Sequence, residues 1–567
     1  MMGRIPSMVP SCFRRVGVVA LCATAFLLSA CETLPEAGKK LSDMTGFKTG
    51  MRAGELPPVP AARTWPDAAQ DVRNQRARGY GLVDMPDMQA YLNGLLQKIK
   101  QSAGVPTWPG AVYITAATDL DAYCTGAGNI YVSLPWLQSM ESEDEMVALL
   151  SHEFGHVYTN SHQLESAITG TDEAAKWTAV GVALARKVGN ASGWNAVDSV
   201  MAAYQFGKNT LAPAWGRNEE ENADTFGATV SLQMGYSFPS GFKAFLERMA
   251  TWESDNEKRR IEERATLLQQ LKTASADSVR AKNGTVKGAQ VNLQDAQIEM
   301  NASVVELSHN LSGGLSDLVK KITQSHPDVE ARLTSLTAQV QPLMAGKPRP
   351  QATVEPWKRA LAQPRTAVVL LNYQRVADAR TALQQQDFRT ARKLALEAAS
   401  GPTAQHAMPL MMLDLTENYA DTNQPLRTAP SRARGTPQRP PAAVQRNMNP
   451  LERNIRSEPD RAWRIYVTRA NQLVGAGQNT QAKAVMADGL VYFDQAPAAW
   501  PDAIAFAGQV EGWDKAKQLA QTCAKRFPSS ATLCQQAAAS PQEVAETARQ
   551  TDAKAKSIVD KSKWFKK

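Results

Sequence analysis

Two histidines and one glutamate, placed within five residues of each other, could carry out metal-assisted hydrolysis. His152, Glu153 and His156 form the pattern His-Glu-x-x-His. Residues four apart lie on one face of an α-helix, so the two imidazoles can converge on one metal ion. Zinc favours imidazole ligands, and a catalytic zinc site leaves one position open for water. Glu153 can take a proton from that water, so the pattern predicts a zinc hydrolase with Glu153 as its general base.

A second segment, rich in carboxylates, offers a third ligand for such an ion. Glu219, Glu220 and Glu221 are consecutive, and Asp224 follows Glu220 by four residues on a predicted helix. One carboxylate of this helix can bind zinc while another holds a ligand histidine by a hydrogen bond. Spacing alone does not choose among the three glutamates. A solvated acidic helix face is the alternative interpretation.

The elements that must position these residues are predicted to be mainly helices. Ser142 and Glu145 form a capping box ahead of an apolar run, which predicts a buried helix carrying the His-Glu-x-x-His pattern. Two helix histidines satisfied by ordinary hydrogen bonds are the alternative. Upstream, residues 88–99 have the spacing of an amphipathic helix, and the β-branched residues 112–115 predict a short strand.

Together these segments resemble the Ste24/HtpX-like family of gluzincin peptidases, in which the His-Glu-x-x-His motif is followed by a helix reading R-x-x-E-x-x-A-D. Arg217, Glu220, Ala223 and Asp224 fit that pattern in register. The resemblance implies that Glu220 is the third ligand and that Asp224 holds a ligand histidine. It also implies one Zn²⁺ per chain, with these ligands: His152, His156 and Glu220.

Residues 121–132 are similar to a stretch that precedes the metal helix in this family, N-A-f-x-x-x-G-G-x-I-x-V. Asp121 replaces the usual asparagine, and the paired glycines are not matched cleanly. Physically the segment is a turn that leads into a short β-branched strand, and we expect an edge there that pairs with an extended peptide substrate. Pairing through the peptide backbone would give broad specificity. The predicted substrate strand consists of Asn129, Ile130, Tyr131 and Val132.

Residues 325–333 are similar to another family segment, H-P-x-x-x-x-R-[IL]. In relatives this histidine lies near the metal, so the resemblance implies that His326 stabilises the oxyanion or gates the site. It also implies that Arg332 is an internal brace. The alternative interpretation is that His-Pro simply forms the turn that starts a helix.

The N-terminus predicts export and attachment to a lipid surface. Three arginines precede an apolar stretch over 16–28, which is followed by Leu28-Ser29-Ala30-Cys31. This is the pattern of a bacterial lipoprotein signal, and Cys31 would carry the lipid. The apolar stretch is shorter than the roughly 20 residues of a membrane span. An uncleaved anchor or an ordinary signal peptide is the alternative. Because Glu32 and not aspartate follows the cysteine, we expect attachment to the outer membrane, facing the periplasm.

Three cysteines remain beyond the predicted signal. Cys523 and Cys534 could form a disulfide in an oxidising periplasm, but their separation along the chain does not establish that they are close. Cys124 is interpreted as a small packing residue and not as a nucleophile.

The composition gives 63 Lys and Arg against 55 Asp and Glu, a formal net charge of +8. The basic excess falls partly in an arginine-rich stretch near residues 427–446 and in the lysines at the C-terminus, which are expected to be solvated or to contact anionic lipid headgroups. The sequence has no signature of a nucleic-acid-binding fold, and its predicted export argues against DNA or RNA as a partner.

Beyond residue 345 the composition changes to Ala-, Leu- and Gln-rich helices. Residues 478–484 align with 512–518 at a period of about 34 residues, the spacing of tetratricopeptide repeats, and residues 386–393 contain a similar turn. Stacked helix pairs would form a concave surface for proteins or peptides, whereas a generic bundle of helical hairpins is the alternative.

We therefore predict a mostly α protein: an α+β peptidase core with a small sheet and the metal helix, followed by an α-helical, tetratricopeptide-like repeat domain. The predicted segments are a lipoprotein signal at 1–31, a tether at 32–75, a zinc metallopeptidase domain at 76–345 with an inserted helical arm at about 252–311, a helical repeat region at 346–422, a Pro/Arg-rich disordered linker at 423–455, tetratricopeptide-like repeats at 456–545 and a basic tail at 546–567.

The arrangement resembles the periplasmic lipoprotein branch of the family, in which a metallopeptidase is joined to such repeats. The resemblance implies a lipid-anchored zinc endopeptidase that degrades misfolded or misassembled envelope and outer-membrane proteins, with the outer-membrane assembly machinery as a partner of the repeats. One alternative is a periplasmic chaperone or assembly scaffold that acts through its repeats and has a latched or vestigial zinc site. Another is a structural lipoprotein with structural zinc, but Glu153 argues against it because a structural site needs no base.

Overall fold

The computed structural model describes residues 51–60, 63–118, 120–159, 217–252, 254–255, 329–422, 449–540 and 543. Nearly all of the predicted arm at 252–311, the basic tail and most of the predicted linker lie outside these residues. The described residues from Arg52 onward belong to one unit. Among them, no helix has both the length and the apolar character needed to cross a bilayer.

The prediction of a tether over 32–75 was wrong for its last part, which is folded against the peptidase domain. The backbone N–H of Gly54 donates to Thr229 Oγ1 at 3.0 Å. Helix α1 follows at Ala68–Arg76, and the Asp67 carboxylate caps it by accepting a hydrogen bond from its first turn. The Pro and Ala content suggested coil, but α1 buries Val72 and therefore has a packed face.

A long helix and a three-stranded sheet follow. Helix α2 spans Pro86–Ser102 and confirms the predicted amphipathic helix, because its apolar face is buried. Strand β1 spans Val112–Thr115, as predicted, and is followed by β2 at Ala122–Cys124 and β3 at Ile130–Ser133. The strand order is β1-β3-β2, with β3 parallel to β1 and antiparallel to β2.

The prediction of an available edge at Ile130, Tyr131 and Val132 was wrong. β3 is the central strand, and Ile130 is paired with Val112 on one side and with Cys124 on the other. The side chains of the three residues are 0% exposed. A short apolar run without polar alternation is typical of a strand that is covered on both faces, and such a strand lies inside a sheet.

Three helices after the sheet carry the candidate site. Short helix α3 spans Leu134–Ser139, α4 spans Glu143–Thr159, and α5 spans Arg217–Gln233. The backbones of α4 and α5 approach closely at Gly227, where an added Cβ would lie 2.9 Å from the backbone nitrogen of His152. Glycine is required at such a position because any side chain would separate the two helices.

Two further helices complete the peptidase core. A helix from Pro239 to residue 252 opens with a π-helical turn and packs against α4. Helix α6 spans Val329–Met344 and packs against α5.

The capping contacts predicted at the start of α4 are present in a modified form. Ser142 Oγ accepts a hydrogen bond from the backbone N–H of Glu145 at 3.3 Å, and the Glu145 carboxylate accepts one from the backbone N–H of Glu141 at 3.0 Å. The first bond satisfies a backbone donor in the first turn of the helix; the second satisfies the N–H of the residue before Ser142, where a standard capping box would bind the N–H of Ser142 itself.

The C-terminal region is built of helices that pack in succession. They are α7 at Val354–Leu361, α8 at Pro364–Gln384, α9 at Phe388–Ala398, α10 at Ala407–Thr422, α11 at Pro450–Ile455, α12 at Trp463–Gly475, α13 at Asn479–Tyr492, α14 at Trp500–Val510, α15 at Trp513–Arg526 and α16 at Ala531–Ala537. The fold class is therefore confirmed: a mostly helical peptidase core with a small sheet, followed by a helical region.

Residues with positive φ lie just before the helices that begin at the three aligned sequence segments. Each of α9, α13 and α15 is preceded by a residue with positive φ: Gln386 at 61°, Gly477 at 74° and Gly512 at 104°. Helices α13 and α15 begin 34 residues apart, at Asn479 and Trp513. Gln386 and Gly477 lie two residues before their helices, whereas Gly512 lies directly before α15, so the third turn differs from the first two.

The linker predicted over 423–455 is too long at its C-terminal end. Pro450–Ile455 is helix α11, and its Leu451 is 0% exposed in a cluster with Ala462 and Ile465. Proline and arginine content suggested coil, but this short apolar turn packs onto the following helix. Farther along, Cys523 of α15 and Cys534 of α16 form a disulfide.

The C-terminal helices are anchored directly on the peptidase domain. The indole N–H of Trp357, a fully buried residue of α7, donates to the backbone oxygen of Met140 at 2.9 Å. The backbone N–H of Thr353 donates to the Asp144 carboxylate at the start of α4, at 2.6 Å. The first turn of the metal helix is thus held by the chain segment that begins the C-terminal region.

Candidate metal centre

His152 and His156 lie on one face of α4, with their Nε2 atoms facing each other. Their Nε2 atoms are 3.2 Å apart, and both side chains are buried. Two ligand atoms about 2.05 Å from one tetrahedral zinc ion would be separated by about 3.3 Å. The spacing of the two nitrogens therefore suits a shared metal ion.

Glu220 of α5 adds a carboxylate to this pair. Its Oε1 lies 3.4 Å from His156 Nε2, and its Oε2 lies 3.7 Å from His152 Nε2. One donor atom from each of the three residues lies within 4.8 Å of the other two, so the group could hold a metal ion. Two imidazole nitrogens and one carboxylate oxygen are a donor set of catalytic zinc sites.

Asp224, one turn after Glu220, orients the first histidine. Asp224 Oδ1 lies 2.9 Å from His152 Nδ1. Because a carboxylate can only accept, this contact places the imidazole proton on Nδ1 and leaves the Nε2 lone pair directed at the centre of the group.

Arg332 of α6 holds both carboxylates of α5. Its Nε and Nη2 each donate to Asp224 at 2.7 Å, and its Nη1 lies 2.9 Å from Glu220 Oε2. Arg332 is 1% exposed. A planar guanidinium with several fixed donors is suited to binding two carboxylates at once, and the pairing compensates the burial of all three charges.

The electrostatics of the centre separate the two roles of its acidic groups. Burial alone would raise the pKa of Asp224, but the Arg332 guanidinium and the His152 contact outweigh it and lower that pKa, so Asp224 stays ionised. Burial raises the pKa of Glu153 to about 7, with His152 opposing the rise and Glu220 and Asp121 adding to it. A carboxyl group with a pKa near neutrality can both accept and return a proton.

The start of α4 is fixed by contacts that sequence reasoning did not anticipate. The Asp144 carboxylate accepts from the backbone N–H groups of Ser237 and Thr353, at 2.8 and 2.6 Å. The Glu143 carboxylate accepts from the hydroxyl of Tyr236 at 2.6 Å and from that of Tyr91. Carboxylates near a helix N-terminus are stabilised by the helix dipole, and here they also lock the metal helix to its neighbours.

The side chains of the predicted substrate strand have structural partners. The amide of Asn129 and the hydroxyl of Tyr131 donate to the carboxylate of Asp71, at 2.8 and 2.7 Å. Ile130 and Val132 lie in the core. Asp71 was missed because its segment was assigned to the tether; the signal that could have identified a helix is Asp67, a capping residue ahead of it.

Two predicted residues, His326 and Cys31, lie outside the described residues, and their roles stay predictions. Cys124 is buried at the end of β2, as expected of a packing residue.

Comparison with known proteins agrees with this geometry. Residues 86–340 match the model of Peptidase family M48. The chain is 24% identical over 230 residues to the beta-barrel assembly-enhancing protease of Yersinia pestis. The aligned region makes up 40% of this chain and 43% of that protein. The chain thus spans less than half the length of that relative. The resemblance inferred from the sequence is confirmed: residues 86–340, which contain every described residue of the candidate centre, match a family of metallopeptidases.

Proposed function

We propose that the protein is a zinc-dependent endopeptidase. The observation that carries the proposal is the convergence of His152, His156 and Glu220 at spacings that suit one tetrahedral ion, with Glu153 on the same buried helix. A site that served only the fold would need no such base.

In this proposal each residue of the centre has a defined task. His152 and His156 bind zinc through Nε2, and Glu220 binds it through its carboxylate. A bound zinc ion supplies Lewis acidity, which acidifies water and polarises the carbonyl of the scissile peptide. Glu153 takes the proton from the attacking water and delivers it to the leaving amine nitrogen. Arg332 and Asp224 keep the ligands in place, as their contacts indicate.

We also propose that the enzyme works in the periplasm, attached to the outer membrane by a lipid on Cys31, and cleaves unfolded or misassembled envelope proteins. The predicted lipoprotein signal supports this location, and the Cys523–Cys534 disulfide is typical of an oxidising compartment. The name of the Yersinia pestis relative connects that protein with β-barrel assembly. The C-terminal helices are the proposed surface for protein substrates or for the assembly machinery, and His326 is proposed to stabilise the oxyanion.

Zinc stoichiometry and hydrolysis of casein test the proposal together. The purified protein should contain one zinc ion, lose activity on chelation and recover it when zinc is restored. Glu220→Ala should lose both zinc and activity, whereas Glu219→Ala, the matched change at the preceding residue, should retain both. Loss of zinc from Glu219→Ala with retention in Glu220→Ala would contradict the ligand assignment. Bound zinc without hydrolysis of any unfolded protein would favour a scaffold with a latched site.

A further inference from the structure

Asp71, on helix α1, gathers three side chains from a single hairpin. Its Oδ2 accepts hydrogen bonds from Thr125 Oγ1 at 2.8 Å, from Asn129 Nδ2 at 2.8 Å and from Tyr131 OH at 2.7 Å. Three donors on one ionised oxygen make a strong contact, because hydrogen bonds to a charged group are roughly twice as strong as neutral ones. All three donors belong to the segment that runs from the end of β2 to β3.

The same helix contacts this hairpin at a second point, one turn later. The hydroxyl of Tyr123, in β2, donates to Gln75 Oε1 at 3.0 Å. Asn129 is also fixed from its other side, because its Oδ1 accepts from the backbone N–H of Ala111 at 3.1 Å. Helix α1 therefore sets the position of both strands of the hairpin.

The hairpin packs against the helix that carries the candidate catalytic base. Strand β2 packs against α4, the helix that carries Glu153. The hairpin begins at Asp121, and this residue is tied to β3 because its backbone N–H donates to Ser133 Oγ at 3.0 Å.

The C-terminal end of α1 inserts into the C-terminal helices. Arg76 Nη1 donates to the hydroxyl of Tyr492 at 3.0 Å and to the backbone oxygen of Glu458 at 3.2 Å. The next residue, Ala77, is 6% exposed within an apolar cluster that includes Trp463 and Phe493. Asp71 and Arg76 lie on one helix, about 7.5 Å apart along its axis, so a single short element holds both sets of contacts.

We propose that α1 is a coupling element in which Asp71 is the positioning residue for the β2–β3 hairpin packed against α4, while Arg76 and Ala77 tie the same helix to the C-terminal helices. The proposal rests on the proposed peptidase function. A protein that binds the C-terminal helices and shifts them would move α1, and with it the hairpin. Among the described residues, the side-chain hydrogen bonds to Asp71 all come from the hairpin, so its effect on the centre would pass through the hairpin.

A double-mutant cycle on the full chain tests the coupling. Asp71→Asn preserves the shape of the side chain but places an amide against donors, so it should lower kcat on casein about tenfold, with KM changed less than twofold and zinc stoichiometry unchanged. Arg76→Gln should lower kcat severalfold. The double variant should be no slower than Asp71→Asn alone, because a released hairpin no longer senses α1. Asp87→Asn, the same change on an exposed residue at the start of α2, should have no effect.

Independent, multiplying effects of Asp71→Asn and Arg76→Gln would overturn the coupling, and an unchanged kcat in Asp71→Asn would overturn the positioning role. Hydrogen exchange separates failure of this proposal from failure of the peptidase assignment, because it needs no activity. The backbone amides of Thr125 and Ile130 donate to Asn129 and Ala111 and should exchange about tenfold faster in both single variants, while the amides of α2 keep their rates. Unchanged hairpin exchange in Arg76→Gln would overturn the coupling whether or not casein is cleaved.

Discussion

Asp224 should control how tightly zinc is held although it does not bind the metal. In the structure its carboxylate lies 2.9 Å from His152 Nδ1 and accepts two hydrogen bonds from Arg332, all within a buried cluster. Asp224→Asn keeps the shape of the side chain but removes the charge that makes His152 a better ligand. Loss of such a partner typically costs 10- to 100-fold in metal affinity, which is about 1.4 to 2.7 kcal/mol.

Competition against a fluorescent chelator at fixed pH measures this effect on zinc affinity directly. Asp224→Asn should bind zinc about 10- to 100-fold more weakly than the unaltered protein, and saturating zinc should restore most of its activity. Asp87→Asn, the same substitution at an exposed site, is the matched control and should leave the affinity unchanged. A zinc affinity within twofold of the unaltered protein would refute the role assigned to the Asp224–His152 contact.

Three further predictions concern stability, and each can be checked by thermal or urea unfolding. Arg332→Met leaves two carboxylates buried without their cation and should destabilise the protein by about 3 to 5 kcal/mol without zinc; an unchanged midpoint would contradict this. Gln386 and Gly477 both have positive φ, a conformation that glycine adopts at lower cost than other residues. Gln386→Gly should therefore stabilise the protein by about 1 kcal/mol, and Gly477→Ala should destabilise it by about as much. Effects of opposite sign would contradict the argument. Burial lowers the pKa of His406 from 6.5 to about 4. Between these two pH values the unfolded state binds more protons than the folded state, so the free energy of unfolding falls as the pH drops through this window. The expected loss is about 3 kcal/mol. His406→Gln should lose less stability than the unaltered protein between pH 7 and pH 4, and an equal loss would contradict the burial argument.

Features that depend on neighbours in sequence could be predicted from the sequence. The capping contacts of Ser142 and Glu145, the helix over 88–99 and the strand over 112–115 are all present, because each is determined by local spacing. The His-Glu-x-x-His pattern is local in the same sense, since one helical turn brings its histidines together.

Features that depend on distant partners could not be predicted in this way. The central position of β3 is set by pairing with β1 and β2, which its own sequence does not record. Asp71 finds its partners 54 to 60 residues away, and nothing in the Pro- and Ala-containing segment around it indicated that contact. Spacing alone could not choose among three consecutive glutamates either; the packing of α5 on α4 places Glu220 against both histidines.

The most direct test of the zinc endopeptidase assignment compares casein hydrolysis and zinc content in the unaltered protein and in Glu153→Gln. The substitution removes the proposed base without removing a ligand, so zinc should stay at one per chain while kcat falls by about 10²- to 10⁴-fold. Glu247→Gln, the same change at an exposed residue in an ion pair with Lys243, should leave both zinc and kcat unchanged. Full proteolysis in zinc-loaded Glu153→Gln, purified from a protease-deficient host, would contradict the central claim.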